Sequence, residues 1–502
     1  MPLHPFLFAI FPILSLYENS IRFVSENELI IPLIVVLTIT GIFFIVLKKL
    51  FKNNYKSELI TSILILFGLF YGTLYFFIDD FTLNGIDIGK HRYLLLICFI
   101  LISIIFYWII KKQNDLRTIN YVLNLVSLTM VLVIFSNILF YEINNDTQFD
   151  NTYISDIQLT RNPGPDIYFI MLDGYPGNDS LKKNNDYDNV EFISNMESIG
   201  FVNQKKFFAN YPHTFLSLPS MLNMKYLNYL TPILKDSRDQ SIPYSMGSNN
   251  DVMNIAKNLG YLTVSFDSGW GFTRDMKSSE LKLCGDNQFF NSEFIINIAK
   301  HSILNPIYVK LYETDHLELK LCAFENLPLI KQRTNSPLFV FAHIFLPHPP
   351  YYFDSNGKIN DMETLDFNLD HPINLRKDLF LEQLLFTNNK VFDVSQKIIE
   401  INKNSVIIIT SDHGTAFTFE GKEENWASPT DDMILERMDN IFLIYEYDKD
   451  DSKFQNLHSS VNIFRYVFSN YFEQDLPLLP DRIYFNEDGY YDLMNKTKLF
   501  FN

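Results

Sequence analysis

Apolar positions are concentrated at the start of the chain. Within the first 141 residues they form four unbroken stretches, 29–47, 59–78, 93–110 and 121–141, none of which contains a charged side chain. At about 1.5 Å of rise per helical residue, each is long enough to cross the ~30 Å apolar core of a bilayer. A shorter stretch, 5–17 (PFLFAIFPILSLY), carries Pro12 and reads as a fifth span, with a re-entrant piece or an interfacial helix as the alternatives. It has no Lys or Arg before it and no small-residue cleavage site after it, so a cleaved signal peptide does not fit. Residues 1–141 are thus a predicted transmembrane bundle of five helices. Residues 142–165 are polar, end in NPGP and read as a juxtamembrane connector.

After position 165 the pattern changes. Short apolar runs at 166–172, 262–266, 338–345, 405–410 and 440–445 alternate with helical patterns at 251–259, 379–401 and 461–472. The short runs are apolar throughout, as expected for strands covered on both faces. Strand alternating with helix predicts an α/β domain over 166–502 with a mostly parallel central sheet, its site at the carboxyl ends of the strands.

Loop charge orients the bundle. Lys48, Lys49, Lys52 and Lys56 lie between the second and third stretches, and Lys111, Lys112 and Arg117 between the fourth and fifth. The opposite loops hold only Arg22, Lys90 and Arg92. Excess Lys and Arg stay in the cytoplasm, which places the α/β domain outside, on a multi-pass protein of the cytoplasmic membrane. The chain carries a net charge of −17, and all of the acidic excess falls after residue 141. That excludes the basic stripe of a nucleic-acid binder. Of three cysteines, Cys98 sits inside a span; Cys284 and Cys322 fall in the outer domain, where pairing is chemically permitted and two buried thiols are the alternative.

Candidate chemistry gathers where apolar runs end. Asp173 closes IYFIMLDGY, Asp412 and His413 close VIIITSDHGT, and Thr214 precedes the helical pattern FLSLPSML. Asp-Gly alone is a common turn, and a Thr at a helix start is commonly a cap. Together the four offer two carboxylates, an imidazole and a hydroxyl, enough to hold one divalent cation and activate the hydroxyl. A helix N-terminus also favours an alkoxide and an anionic ester. His348, between two prolines in FLPHPPYY, projects from another strand end and suits a proton donor. His343, within that strand, reads as core. Trp270 and Arg274 follow the 262–266 run and suit a phosphate-bearing head group, unless the loop packs Trp270 inward. His213 and Arg437 are further candidates for substrate contact.

These motifs, in this order, resemble the alkaline-phosphatase superfamily, in particular its sulfatase-like, membrane-anchored branch, which includes lipoteichoic acid synthases and phosphoethanolamine transferases. The resemblance covers roughly 165–486 and, more loosely, the helical region. It implies one Mn²⁺ or Zn²⁺, with Mg²⁺ also compatible, on Asp173, Thr214, Asp412 and His413, with Thr214 as nucleophile and His348 toward the leaving group. It implies a lipid donor and an envelope glycan or lipid acceptor, with water replacing the acceptor in a hydrolase and a non-catalytic envelope scaffold as a third reading. Oligomeric state is left open. Two departures stand out. The acid is Asp where the transferases usually have Glu. The Cys-x-Pro-x-Arg signature of true sulfatases is absent, and Thr cannot become the hydrated aldehyde those enzymes use.

Overall fold

A computed structural model describes every residue except 1–2, 22–25, 79–80, 84–85, 112–115, 146–163, 235–236, 238, 286–292, 361–372, 421–425, 448–455, 473–475, 487–488 and 502. Most of the predicted connector and the loop cations Arg22 and Lys112 therefore lie outside the described residues. The chain divides into two compact units. One comprises Met1–Phe149 with Asn287–His316, the other Asp150–Asp286 with Leu317–Asn502.

The first unit is helical: α1 (His4–Ser20), α2 (Glu26–Phe51), α3 (Asn54–Ile78), α4 (His91–Lys111) and α5 (Arg117–Asn145). Four of these helices, all but α1, are long and apolar enough to cross a membrane. Their outward residues, such as Ile34, Phe99, Ile104 and Leu125, are exposed apolar side chains, as a lipid solvent requires. The 17-residue α1 buries Phe8, Ala9, Ile13, Leu14 and Tyr17. The His4 ring at its start lies 2.7 Å from both Ser62 Oγ and Asn120 Oδ1, near the starts of α3 and α5, and Asn137 donates to Glu18 at its end at 2.7 Å. α1 therefore runs alongside α3 and α5 in the same direction. Residues 287–316 also belong to this unit; the sequence pattern gave no sign of it.

The second unit is built on a seven-stranded sheet. Its strands are β1 (Asp166–Leu172), β2 (Phe201–Asn203), β3 (Leu262–Phe266), β4 (Leu281–Leu283), β5 (Leu338–Ile344), β6 (Ser405–Ser411) and β7 (Phe442–Glu446), in the order β2-β7-β6-β1-β5-β3-β4. The five strands from β6 to β4 are mutually parallel, while β7 pairs antiparallel with β6 and with β2. The predicted run at 440–445 is thus a strand of the opposite direction. Alternate side chains of β1 feed two separate cores. Tyr168, Ile170 and Leu172 pack with Phe380, Leu384 and Val394 of helix 373–401; Ile167, Phe169 and Met171 pack with Phe464, Val467 and Phe468. Both faces are dry, which explains why the strand sequences show no polar alternation. Cys284 and Cys322 form a disulfide, which settles the pairing left open by the sequence.

Candidate active site

Register brings the two carboxylates together. In the parallel pair β1–β6, Leu172 stands opposite Ser411, so the next residues, Asp173 and Asp412, leave neighbouring strands side by side. The pleat turns both toward the face covered by α6 (Thr214–Leu222), whose Leu218, Met221 and Leu222 pack on that core. Ser217 Oγ, in the first turn of α6, donates to the Asp412 carbonyl at 2.7 Å and sets the helix start over the loop. Thr214 Oγ1 then lies 3.2 Å from His413 Nε2, which is 3.1 Å from Asp412 Oδ2 and 3.9 Å from Asp173 Oδ1. One ligand atom each from Asp173, Asp412 and His413 falls within a mutual 4.8 Å.

Two observations fit a divalent cation here. Asp173 Oδ1 and Asp412 Oδ2 are both fully buried without a hydrogen-bond partner, a costly arrangement unless a cation completes it. Burial and the adjacent Asp173 charge push the Asp412 carboxyl well above the usual carboxylate range. For Asp173 burial acts upward too, but His348 and the hydrogen bond from His343 outweigh it and hold it below that range. Two carboxylates this close ionise together only with a cation between them. His413 is suitably prepared. Its Nδ1 is 3.0 Å from the Gly414 carbonyl, which fixes the proton there and leaves Nε2 as a free lone pair; burial, then Arg437, keeps the ring neutral. Two carboxylates, an imidazole and a hydroxyl suit Mn²⁺, Zn²⁺ or Mg²⁺.

The structure places the other candidates as follows. His348 projects from the loop after β5 with its Nε2 4.0 Å from Asp173 Oδ1 and its Nδ1 2.6 Å from the Pro349 carbonyl oxygen; its side chain is 28% exposed. His343 is buried, as predicted for core, but it does more than pack. It stands opposite Met171 in the β1–β5 register, which brings its Nε2 to 3.2 Å from Asp173 Oδ2 and its Nδ1 to 3.1 Å from Ser268 Oγ. It is the residue that orients Asp173. Trp270 packs edge-on to the His343 ring at 5.9 Å and against Tyr244 at 5.5 Å. Arg274 acts on the buried carboxyl of Asp267. His213 stacks between Phe215 and Trp426, at 5.6 and 5.0 Å. Burial, followed by the Arg437 charge, pulls its pKa down to about 3.

Arg437 braces the two active-site loops against each other. Its Nε donates to the Pro212 carbonyl at 2.7 Å and its Nη1 to the Gly414 carbonyl at 2.9 Å, while the guanidinium lies 5.5 Å over Trp426. Lysine keeps the charge but cannot make both bonds in one plane. Arg437→Lys is therefore expected to weaken Mn²⁺ or Zn²⁺ affinity roughly 10–100-fold, measured calorimetrically, with little change in thermal midpoint. Unaltered affinity would remove Arg437 from the site's support.

One residue of this neighbourhood carries no signal in the sequence. Lys320 is 3% exposed, and its Nζ has no hydrogen-bond partner. The ammonium sits 4.2 Å over the Phe345 ring and 5.3 Å from that of Tyr352, and Phe345 in turn lies 4.5 Å from His348. Burial pulls the Lys320 pKa down to about 7, with Asp173 acting in the opposite direction.

The chain belongs to the sulfatase family, whose model matches residues 165–468, within the alkaline-phosphatase superfamily. Among solved structures, the C-terminal periplasmic domain of EcEptC from Escherichia coli is 12% identical, with 70% of this chain and 97% of that one covered and a TM-score of 0.44. The soluble domain of lipooligosaccharide phosphoethanolamine transferase A from Neisseria meningitidis is 12% identical over 62% and 90%, with a TM-score of 0.42. The integral membrane form of that transferase is 13% identical over 93% of each chain, with a TM-score of 0.39. At these scores the likenesses add nothing to the family assignment. No curated protein matches the chain.

Proposed function

We propose that the protein is a metal-dependent transferase of the cytoplasmic membrane, anchored by five helices with α1 among them, its sheet unit on the extracytoplasmic side. It moves a phospho-substituent of the phosphoethanolamine or phosphoglycerol type from a lipid donor to a hydroxyl of an envelope glycan or lipid. The observation that supports this reading is the convergence of Thr214 Oγ1 on two orphaned carboxylate oxygens and an unprotonated imidazole nitrogen. Asp173, Asp412, His413 and Thr214 would hold the ion, which when bound acidifies a hydroxyl and offsets phosphoryl charge.

Thr214 Oγ, its proton lost to solvent, attacks the donor phosphorus. The new Oγ–P bond forms as the P–O bond to the lipid alcohol breaks, and His348, entering as the imidazolium, protonates that departing oxygen. An acceptor hydroxyl then attacks the same phosphorus, gives its proton to His348 and displaces Thr214. His343, hydrogen-bonded to Asp173, and Arg437, spanning Pro212 and Gly414, keep the reacting groups in place. Sulfate ester hydrolysis of the true-sulfatase kind is disfavoured because Thr214 stands where a formylglycine precursor is needed.

The test is the intact mass of purified full-length protein after incubation with vesicles of phosphatidylethanolamine or of phosphatidylglycerol. The expected result is an adduct on Thr214 whose added mass equals one phospho-substituent. An unmodified Thr214 under both conditions, with Mn²⁺ or Zn²⁺ supplied, would overturn the covalent mechanism.

A further inference from the structure

The polypeptide leaves the sheet unit after Cys284, joins the helical unit, and returns before Cys322; the disulfide between these cysteines closes the neck of the excursion. Its helix α7 (Glu293–His301) is seated firmly on the bundle. Phe294 is fully buried with Ile13, Tyr17, Val36 and Ile65, and its ring meets Tyr17 edge-on. At the far end of α7 the contact with α3 is so close that a Cβ on Gly72 would stand 1.9 Å from the Lys300 carbonyl oxygen. Ile303 N donates to the Gly68 carbonyl at 2.7 Å, and the His301 ring meets Thr73 Oγ1 at 3.0 Å.

Helix geometry gives the depth of this contact. α3 has 25 residues and ends at Ile78. At ~1.5 Å per residue it is about 37 Å long, some 7 Å more than an apolar core of ~30 Å. Gly68 lies about 15 Å from that end by the same rise. Even if the whole excess projected beyond the outer surface, Gly68 would stand roughly 7 Å within the hydrocarbon.

The turn following α7 has the polarity that such a depth demands. Its polar side chains point inward: Ser302 and Asn305 are 4% and 2% exposed. Its apolar side chains point outward: Ile303, Leu304 and Ile307 are 42%, 52% and 60% exposed. The backbone N–H groups are satisfied internally. Ser302 N donates to the Ala299 carbonyl, Ile303 N to Gly68, Leu304 N to Ser302 Oγ, Asn305 N to the Ser302 carbonyl and Ile307 N to Leu304; position 306 is a proline. Asn305 Nδ2 takes up the Lys300 carbonyl at 2.7 Å. A turn in water has no need of this arrangement, because water would serve its N–H groups and disfavour three exposed aliphatic side chains. The Lys300 stem is long enough to carry its ammonium toward the interface.

We propose that residues 302–307 form a re-entrant elbow immersed in the lipid acyl chains surrounding the C-terminal half of α3. On α3 the apolar Leu74, Phe76 and Phe77 are exposed as well, and the Phe76 ring lies 5.7 Å from that of His301 at the end of α7. Lipid is therefore the occupant. The proposal rests on the helical unit alone and stands or falls independently of the chemistry at Thr214.

The test uses full-length protein in lipid nanodiscs carrying Leu304→Cys labelled with an environment-sensitive fluorophore, with the equally treated wild-type chain as the blank. Ile307→Cys serves as the second variant should the first not fold. The expected result is blue-shifted emission, several-fold quenching by nitroxide lipids and little quenching by aqueous iodide. The pattern should reverse for a label at Asn356, an exposed turn residue of the other unit. Quenching by iodide at position 304 would overturn the proposal, and so would protection from both quenchers, which would mean a protein partner covers the turn.

Discussion

Thr214→Ala is expected to fold, insert and bind metal, yet to lose at least ~10³-fold in the rate of lipid-alcohol release, because removing the nucleophile of a concerted set costs nearly all of the chemistry it supports. The folding half of this expectation follows from position. Thr214 is the first residue of α6, and His213, not Thr214, occupies the cap. Its hydroxyl meets His413 Nε2 at 3.2 Å and satisfies no helix amide, so its removal should cost the fold less than about 1 kcal/mol. Thr214→Ser restores a hydroxyl at the same point and should recover a substantial part of the rate. The measurement is release of free lipid alcohol from donor vesicles, with and without an acceptor glycan. Stimulation by glycan identifies transfer; an unchanged rate with water alone identifies hydrolysis through the same residue. If the alanine variant keeps a tenth or more of the wild-type rate, Thr214 is not the nucleophile.

The parts of the fold legible in the sequence are those governed by local pattern. The run 166–172 is strand β1 to the residue, and 262–266 is β3, because continuous β-branched and aromatic stretches ending at Gly or Asp have few other uses. Asp173, Asp412 and His413 were readable for the same reason, since each follows such a run. The missing pieces depend on who pairs with whom. His343 and Phe341 look alike from the sequence, both inward on one strand face. Only the register with β1 shows that one of them meets a carboxylate and the other a ring. The antiparallel direction of β7 and the three-residue edge strands β2 and β4 are likewise set by neighbours, not by composition. The place of residues 287–316 in the helical unit was not legible, because the amphipathic face of Glu293–His301 does not state what covers it. Phe294 would have packed as well on a sheet as on α1 and α3.

Those same limits hid Lys320, and it yields the second prediction of large effect. A lysine ordinarily titrates near 10.5, and burial brings this one to about 7, a difference that at ~1.36 kcal/mol per unit amounts to about 5 kcal/mol. The sign follows from proton counts. Between the two values the unfolded chain binds a proton that the folded protein does not, so folding gains stability as pH rises through this window. The gain is complete above the unfolded value and is lost as pH falls toward 7. At pH 6 both states are protonated and the fold bears the full cost of an ammonium with no hydrogen-bond acceptor between Phe345 and Tyr352. Lys320→Met keeps the volume and removes the charge. It is expected to be more stable than the wild type by about 5 kcal/mol at pH 6 and by only about 2 kcal/mol at pH 9, read as a thermal-midpoint difference that narrows with pH in the full-length protein. A difference independent of pH would show that the amine is already paired or hydrated in the folded state. The Phe345 ring beneath the amine is itself packed on His348, at the edge of the site, so the same variant should slow the Thr214 reaction while it stabilises the fold. That combination is the mark of a residue retained for chemistry at a cost in stability.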